Sequence, residues 1–508
     1  MLPRPSALPV TRPQLPMRST TRALLLCALA LSAACSQPSG SGSEGEEETP
    51  ARGPRHVLLI VIDTLRADHL SCYGYWRETS PNIDALARRG VRFDQHISQS
   101  SWTAPSMITM LTGQRLSGPR LDIPEDKPTL AELFKDAGYA TGAWVANPLL
   151  TAENGYARGF DAFVDEKQWH STNPPGLLDE ALAWLHENKD RDTFTWIHFT
   201  DPHDPYFPPA DARSDTPGLL SDEQRRLIAD VAAAQPAEGG VEAETDFIAT
   251  EVGLYDDEIV AVDRKVRQLV AALAEDGNFE EAVVVVTSDH GETLWQRAES
   301  ERRILLRSPQ RQGPLRVRDL FKQTHGDFVF QELVRVPLVI VAPGLERGRV
   351  VEEPLEALHL PTTLLDLAGV EVDGTEQLVG RSLFADDVPR GAYTMTKLGE
   401  AFVSVDGWKL ILPTEAGAED FGYEVQLYEL ASDPEERVNL ADERPDRVAE
   451  LKALIEERRA AALPRLTAAE ARQRELENMQ ALKALGYTES GIVDPAAEGE
   501  LDGDHADH

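Results

Sequence analysis

The chain has 508 residues, of which 42% are hydrophobic and 27% charged. That is enough for a large buried core plus a smaller unit. A formal net charge of −36 repels phosphate backbones and anionic lipid, so nucleic-acid binding is not expected.

Residues 17–35, MRSTTRALLLCALALSAAC, read as a secretory signal with Met17 as the start: a positive entry, an apolar run from Ala23 to Leu31, then small residues. Small residues directly before Cys35 resemble a bacterial lipoprotein signal, which makes Cys35 the candidate lipid anchor and the only expected link to a membrane. Plain cleavage near Ala34 is the alternative. Residues 1–35 are therefore assigned to the signal, and the chain is expected to be exported, either membrane-anchored or periplasmic/extracellular. Residues 36–55 read as a flexible acidic tether. Of three cysteines only Cys72 lies beyond this leader, so neither an intrachain disulfide nor a thiolate zinc site is expected.

The body begins with His56–Ile62, HVLLIVI, a continuous apolar run that suits a strand buried on both faces. A helix-like TLAELFKDAG is stopped by Gly138, and Tyr139–Val145 follows as a strand. Leu177–Glu187 has helical spacing, and Phe194–Phe199 is a strand. Ala249–Glu275 is a long amphipathic helix, and Val283–Thr287 and Val336–Val341 are further strands. This alternation predicts an α/β domain with a mostly parallel central sheet flanked by helices, over residues 56–390. Beyond it the pattern changes. Ala401–Leu412 reads as a hairpin around Asp406-Gly407, Val425–Leu430 as a short strand, and Pro445–Ala461 as a helix. A smaller C-terminal α+β subdomain is assigned to 391–480 and an acidic, disordered tail to 481–508, with His505 and His508 as solvated tail residues.

Ligands in open α/β sheets bind at the carboxyl ends of strands. Three apolar strands here end in acid/base or metal-capable residues: Asp63, then Asp201-Pro202-His203-Asp204, then Asp289-His290. Mixed carboxylates and imidazoles suit Mn²⁺, Zn²⁺ or Fe better than an all-oxygen cage. Thr103 opens a helix over Ala104–Thr112 in SSWTAPSMITMLTG, as an N-cap followed by Pro105 and ended by Gly113. The same helix start aims backbone amides and a positive dipole at whatever sits on the hydroxyl, which suits an anionic tetrahedral group. His56, His69, His96 and His359 read as structural or surface residues.

The chain resembles the sulfatase family within the alkaline-phosphatase superfamily. The resembling segments are HVLLIVIDTLRADHLSCYGY (56–75), SSWTAPSMITMLTG (100–113), GYATGAWVANP (138–148) and HFTDPHDPYFPP (198–209). They continue in family order with LYDDEIVAVDRKVRQLVAAL (254–273), TSDHGE (287–292), HGDFVFQELVRVPLVIVAPG (325–344) and LYELASDPEERVNLAD (427–442). The resemblance implies an alkaline-phosphatase-like fold and a divalent metal ion (Mn, Zn or Ca) at Asp63, Thr103, Asp289 and His290. It places the nucleophile at Thr103, and groups that contact the ester or protonate its leaving oxygen at His203 and His325. Asp201 falls where it could join a second metal with His325.

The departures redirect the expected chemistry. Family members usually carry Cys or Ser at the nucleophile position and convert it to formylglycine, in a Cys/Ser-x-Pro-Ser-Arg pattern. Here Thr103 and Met107 stand at the first and last of those positions, and formylglycine is not expected because the threonine Cβ bears a methyl. Asn147 stands close to the position of a family lysine and is assigned to substrate binding. A metal set of one early acid, Thr, Asp and His is similar to relatives that form a phospho-threonine, which favours phosphate over sulfate esters. Two alternatives stay open: a sulfatase working without formylglycine, and an inactive sulfatase-like binding protein. Between His290 and His325, the cations Arg297, Arg302, Arg303, Arg307, Arg311, Arg316, Arg318 and Lys322 either steer an anionic ester or form a solvated surface.

Overall fold

The chain was analysed as a computed structural model, which describes residues 56–165, 176–214, 216–221, 224–226, 228–229, 240–294, 296, 325–372, 378–419 and 421–479. The signal, the tether, the tail and the Arg-rich run from Arg297 to Lys322 lie outside the described residues.

The first half of the chain alternates strand and helix: β1 (His56–Ile62), α1 (Pro81–Arg89), β2 (Val91–Ile97), α2 (Thr103–Thr112), α3 (Leu130–Asp136), β3 (Ala140–Val145) and β4 (Ala162–Asp165). It continues with α4 (Leu177–Glu187), β5 (Thr193–Phe199), α5 (Gly240–Glu275), β6 (Ala282–Thr287) and α6 (Gln331–Val334). Then come β7 (Arg335–Val341), β8 (Arg349–Val351), β9 (Leu355–Glu356) and α7 (Leu360–Leu367). These nine strands form one sheet in the order β4-β3-β5-β1-β6-β7-β2-β8, with β9 also paired to β2. β1 lies at its centre, parallel to β5 on one side and β6 on the other.

All seven residues of β1 are buried. Val57, Leu59 and Val61 face one cluster with Met107, Met110 and Phe134 from α2 and α3. Leu58, Ile60 and Ile62 face the other with Ile83 of α1, Leu185 of α4 and Ile259 of α5. This two-sided burial explains the unbroken apolar run, because both faces of a covered parallel sheet need apolar side chains. At roughly 2 kcal/mol per buried aliphatic side chain, β1 alone contributes on the order of 10 kcal/mol of transfer free energy, before chain entropy offsets it.

β7 runs antiparallel to both β6 and β2 and is the exception to the parallel pattern. Because β7 pairs antiparallel with β6, it starts at the edge on which β6 ends. This topology leaves Asp289, His290 and His325 at the same edge of the sheet. Gly291 lies where the chain presses against α6: its amide donates to the Leu333 carbonyl at 2.7 Å. A Cβ there would meet the Glu332 carbonyl oxygen at 2.0 Å.

The second sheet is antiparallel, in the order β10 (Ala392–Met395), β11 (Gly399–Val403), β12 (Trp408–Pro413) and β13 (Gln426–Glu429). The turn between β11 and β12 contains Asp406-Gly407, with Gly407 at φ 81° and its amide bonded to the Ser404 carbonyl. Helices α8 (Glu415–Glu419), α9 (Pro445–Ala460) and α10 (Ala468–Glu477) complete the described chain. Both sheets belong to one compact unit. Tyr393, Phe402, Leu410, Leu451 and Ile455 join the same apolar cluster as Val57 and Met107, so the core continues across residue 390. The architecture is the expected one: a mostly parallel central sheet, flanking helices and a small C-terminal sheet. Among the described residues, no helix is long and apolar enough to cross a membrane.

Candidate active site

The ends of β1, β3 and β6 and the start of α2 meet around one buried centre. Asp63 follows β1, Asn147 follows β3 by two residues, and Asp289 and His290 follow β6; all four are buried. Among the described residues, Asp63, Asp289 and His290 form a group whose ligand atoms lie within 4.8 Å of one another. His290 Nδ1 lies 2.9 Å from the Gly291 carbonyl and donates to it, so the neutral ring carries its acceptor at Nε2. Nε2 lies 3.5 Å from Asp63 Oδ1 and 3.6 Å from Asp289 Oδ2. Those two carboxylate oxygens are buried and have no hydrogen-bond partner. Buried polar atoms are rarely left this way. The convergence of two such oxygens with an imidazole nitrogen fits a divalent cation.

The remaining oxygens of the two carboxylates are held by donors. Asn147 Nδ2 donates to Asp63 Oδ2 at 2.8 Å. Asp289 Oδ1 accepts the amides of His290 at 2.9 Å and Thr64 at 3.3 Å. Thr64 has φ 55°, a left-handed conformation that a β-branched residue rarely adopts. Its carbonyl accepts the Tyr255 hydroxyl of α5 at 2.8 Å.

Thr103 is not the N-cap of α2. It is the first helical residue, after an extended Trp102 whose side chain makes no cap bond. The threonine hydroxyl instead donates to His290 Nε2 at 3.1 Å and lies 3.5 Å from Asn147 Nδ2. The Leu149 amide donates to Asn147 Oδ1 at 2.9 Å, which turns the Asn147 NH₂ toward Asp63 and Thr103. Thus the structure brings Asp63, Thr103, Asn147, Asp289 and His290 together.

His203 and His325 extend the cluster. The His325 ring lies 4.6 Å from that of His290 and 4.8 Å from that of His203, centroid to centroid. His203 Nδ1 donates to the Asp204 carbonyl at 2.6 Å. His325 Nδ1 lies 3.2 Å from Glu292 Oε1. Asp201 Oδ2 accepts Lys265 Nζ of α5 at 2.6 Å, so a lysine supplies a countercharge there. Of the histidines read as structural or surface residues, His56 bonds Thr193, His69 bonds Asp256, His359 accepts the Arg381 amide, and His96 is buried within β2.

The electrostatics follow from burial and like charge. Burial, then the nearby Asp289 charge, pushes Asp63 well above the usual carboxylate range, with the Asn147 hydrogen bond opposing. Burial also pushes Asp289 upward, but His290 and His198 more than offset it and hold it below that range. Burial depresses His290 and His325 to about 4 and His203 to about 3. Asp204 is pushed up to about 7 by burial and by Glu292.

Two buried residues of this neighbourhood were missed by sequence reasoning. His198 Nε2, inside β5, lies 3.7 Å from Asp289 Oδ2. Its signal was a lone imidazole in the buried strand FTWIHF. Glu292 stood in the quoted TSDHGE and was given no role.

The model of the sulfatase family matches residues 55–370. The chain is similar to the ulvan-active sulfatase of Formosa agariphila, 24% identical over 63% of this chain and 63% of that protein, just under two thirds of its length. It is also similar to the uncharacterized sulfatase YidJ of Escherichia coli, 24% identical over 76% of this chain and 83% of that one. Its fold is shared with the phosphonate monoester hydrolase of Agrobacterium radiobacter, at TM-score 0.62 and 20% identity, covering 82% and 99% of the two chains. The chain therefore belongs to the sulfatase family.

Proposed function

We propose that the protein is an exported hydrolase or transferase of phosphate or sulfate monoanion and dianion esters, with Thr103 as its nucleophile. The observation that carries this reading is the Thr103 hydroxyl on His290 Nε2, beside Asn147 and two buried carboxylates. Asp63, Asp289 and His290 would hold the divalent ion, which supplies Lewis-acid stabilisation of negative oxygen when bound. The chain's own groups do the rest. Thr103 gives its hydroxyl proton to solvent water and its Oγ1 forms a bond to the central phosphorus or sulfur. The bond from that centre to the ester oxygen breaks, and His203 or His325 gives that oxygen a proton. Asn147 Nδ2 and the first amides of α2 face the developing equatorial charge. Water, or an acceptor alcohol, then resolves the Thr103 ester. Both histidines are neutral in the free protein at pH 7, and the charge of a bound anionic ester favours their uptake of the proton.

Phosphorus is the preferred centre. Thr103 excludes formylglycine, and two proteins that share the fold are phosphonate monoester hydrolases, from Agrobacterium radiobacter and Silicibacter pomeroyi. Family membership favours the second reading, a sulfatase that works without formylglycine. The test is a panel of aryl phosphate monoesters, diesters, phosphonates and sulfates with several divalent ions. Turnover on the preferred ester is expected to fall about 10³-fold or more in Thr103→Ala. Full activity of that variant on every ester would refute the nucleophile. Strong preference for sulfate would overturn the choice of phosphorus, and failure to bind any divalent ion would favour an inactive binder.

A further inference from the structure

The mechanism above leaves two histidines for one proton. Their Nδ1 atoms have different partners. His203 Nδ1 meets a neutral carbonyl, that of Asp204 at 2.6 Å. His325 Nδ1 meets a carboxylate, Glu292 Oε1 at 3.2 Å. Glu292 is fully buried and its backbone is fixed on both sides. The Gly291 amide donates to Leu333, and the Glu292 carbonyl accepts Arg66 Nη1 at 3.0 Å.

We infer that Glu292 is a positioning residue for His325, and that this Glu–His pair, not His203, serves the leaving oxygen. This rests on the ester-cleaving reading above. A carboxylate on one imidazole nitrogen sets the tautomer and ring orientation, and offsets positive charge on the ring; a carbonyl sets only the first two. Glu292 keeps the proton on His325 Nδ1, so that Nε2 is the atom that exchanges. As the bond from phosphorus or sulfur to the ester oxygen breaks, doubly protonated His325 gives its Nε2 proton to that oxygen and the alcohol leaves. When water attacks the phosphorus or sulfur of the enzyme ester, His325 Nε2 takes one water proton, the bond from that centre to Thr103 Oγ1 breaks, and Oγ1 regains a proton from solvent. His203, whose ring stands nearly perpendicular to that of His325 at 77°, is left to contact the transferred group.

The experiment compares phenyl and 4-nitrophenyl esters of the preferred anion on the Mn²⁺-loaded full chain. A poor leaving group needs the proton and a good one does not. In Glu292→Ala, kcat is expected to fall about 10²-fold on the phenyl ester and about threefold on the nitrophenyl ester, with KM changed little. Glu292→Gln, which still accepts the Nδ1 proton, should recover part of the loss. On a His325→Ala background, Glu292→Ala should add nothing. Mn²⁺ affinity by calorimetry should be unchanged. In proton spectra of ¹⁵N-histidine-labelled protein, a downfield ring N–H lost in His325→Ala should also vanish in Glu292→Ala while that of His203 persists. Equal losses on both esters, additive losses in the double variant, weakened Mn²⁺ binding, or a surviving His325 signal would each overturn the assignment. The leaving-group split and the ring signal do not depend on which residue attacks, so they separate failure here from failure of the Thr103 reading. If Glu292→Ala does not fold, Glu292→Gln decides, with a smaller split of the same sign.

Discussion

Thr103 carries its hydroxyl on a carbon that also bears a methyl group, and the structure turns that hydroxyl away from the helix it opens. Trp102 precedes it in extended backbone, so the side chain reaches His290 instead of capping α2. The hydroxyl makes no cap bond, and its proton is directed in a hydrogen bond at His290 Nε2. The same residue scale carries the ion-binding prediction. Asp289→Asn removes a buried charge whose Oδ2 has no protein donor. Divalent-ion affinity, measured by calorimetry, is expected to drop by about a hundredfold or more, since even outer-sphere changes cost about 10–100-fold. Retained affinity would show that the ion, if any, binds elsewhere.

At the scale of elements, the site depends on strand ends that the sheet order aligns. β1, β5 and β6 are sequence-distant but adjacent and parallel, so Asp63, Asp201 and Asp289 emerge on one edge. The loop after β5 is then held from α5 by Lys265 on Asp201 and by Glu258, which accepts the Phe207 amide. β2 carries a separate liability. His96 is fully buried in it, and neither ring nitrogen has a hydrogen-bond partner. Burial, then the charge of His359, depresses His96 to about 3. An unfolded histidine titrates near 6.5, so the unfolded chain takes up this proton first. The stability from neutral His96 is therefore present above about 6.5 and is lost as pH falls toward 3. Between pH 6 and 4 that loss is roughly 2–3 kcal/mol. His96→Gln should lose less over the same interval in urea melts at the two pH values; an identical acid slope would exclude His96 as its source.

Over the whole molecule, a buried ion pair joins the C-terminal sheet to the edge of the central one. Lys409 Nζ of β12 lies 2.8 Å from Glu436 Oε1, with both side chains fully buried. Glu436 Oε2 accepts the Gln331 amide at the start of α6, the segment that leads from His325 into β7. Lys409→Met leaves Glu436 buried without its lysine and is expected to destabilise the fold by about 3–5 kcal/mol. The urea midpoint should fall in one cooperative transition, because the apolar core runs through both sheets. A separate early transition of the C-terminal sheet would contradict that continuity.

Much of this organisation was legible in the chain itself. Continuous apolar runs announced β1, β5, β6 and β7, because strands covered on both faces have no polar side. Loaded strand ends announced Asp63, His203, Asp289 and His290, because a parallel sheet puts those ends on one edge. The short or irregular strands β4, β8 and β9 went unread, as did β2, whose VRFDQHI is too polar to read as buried. The extension of α5 back to Gly240 was also missed. Pairing was beyond the sequence: it left Asp201 open as a second metal ligand, and only the approach of α5 gave it Lys265. It read Thr103 as a helix cap as well as a nucleophile, and only β6 lying beside β1 brought His290 to its hydroxyl in place of a cap bond. Residue types and local pattern determine which chemistry the chain carries; contacts between residues 33 to 225 positions apart decide which atoms face one another, as Glu292 with His325 and Thr64 with Asp289.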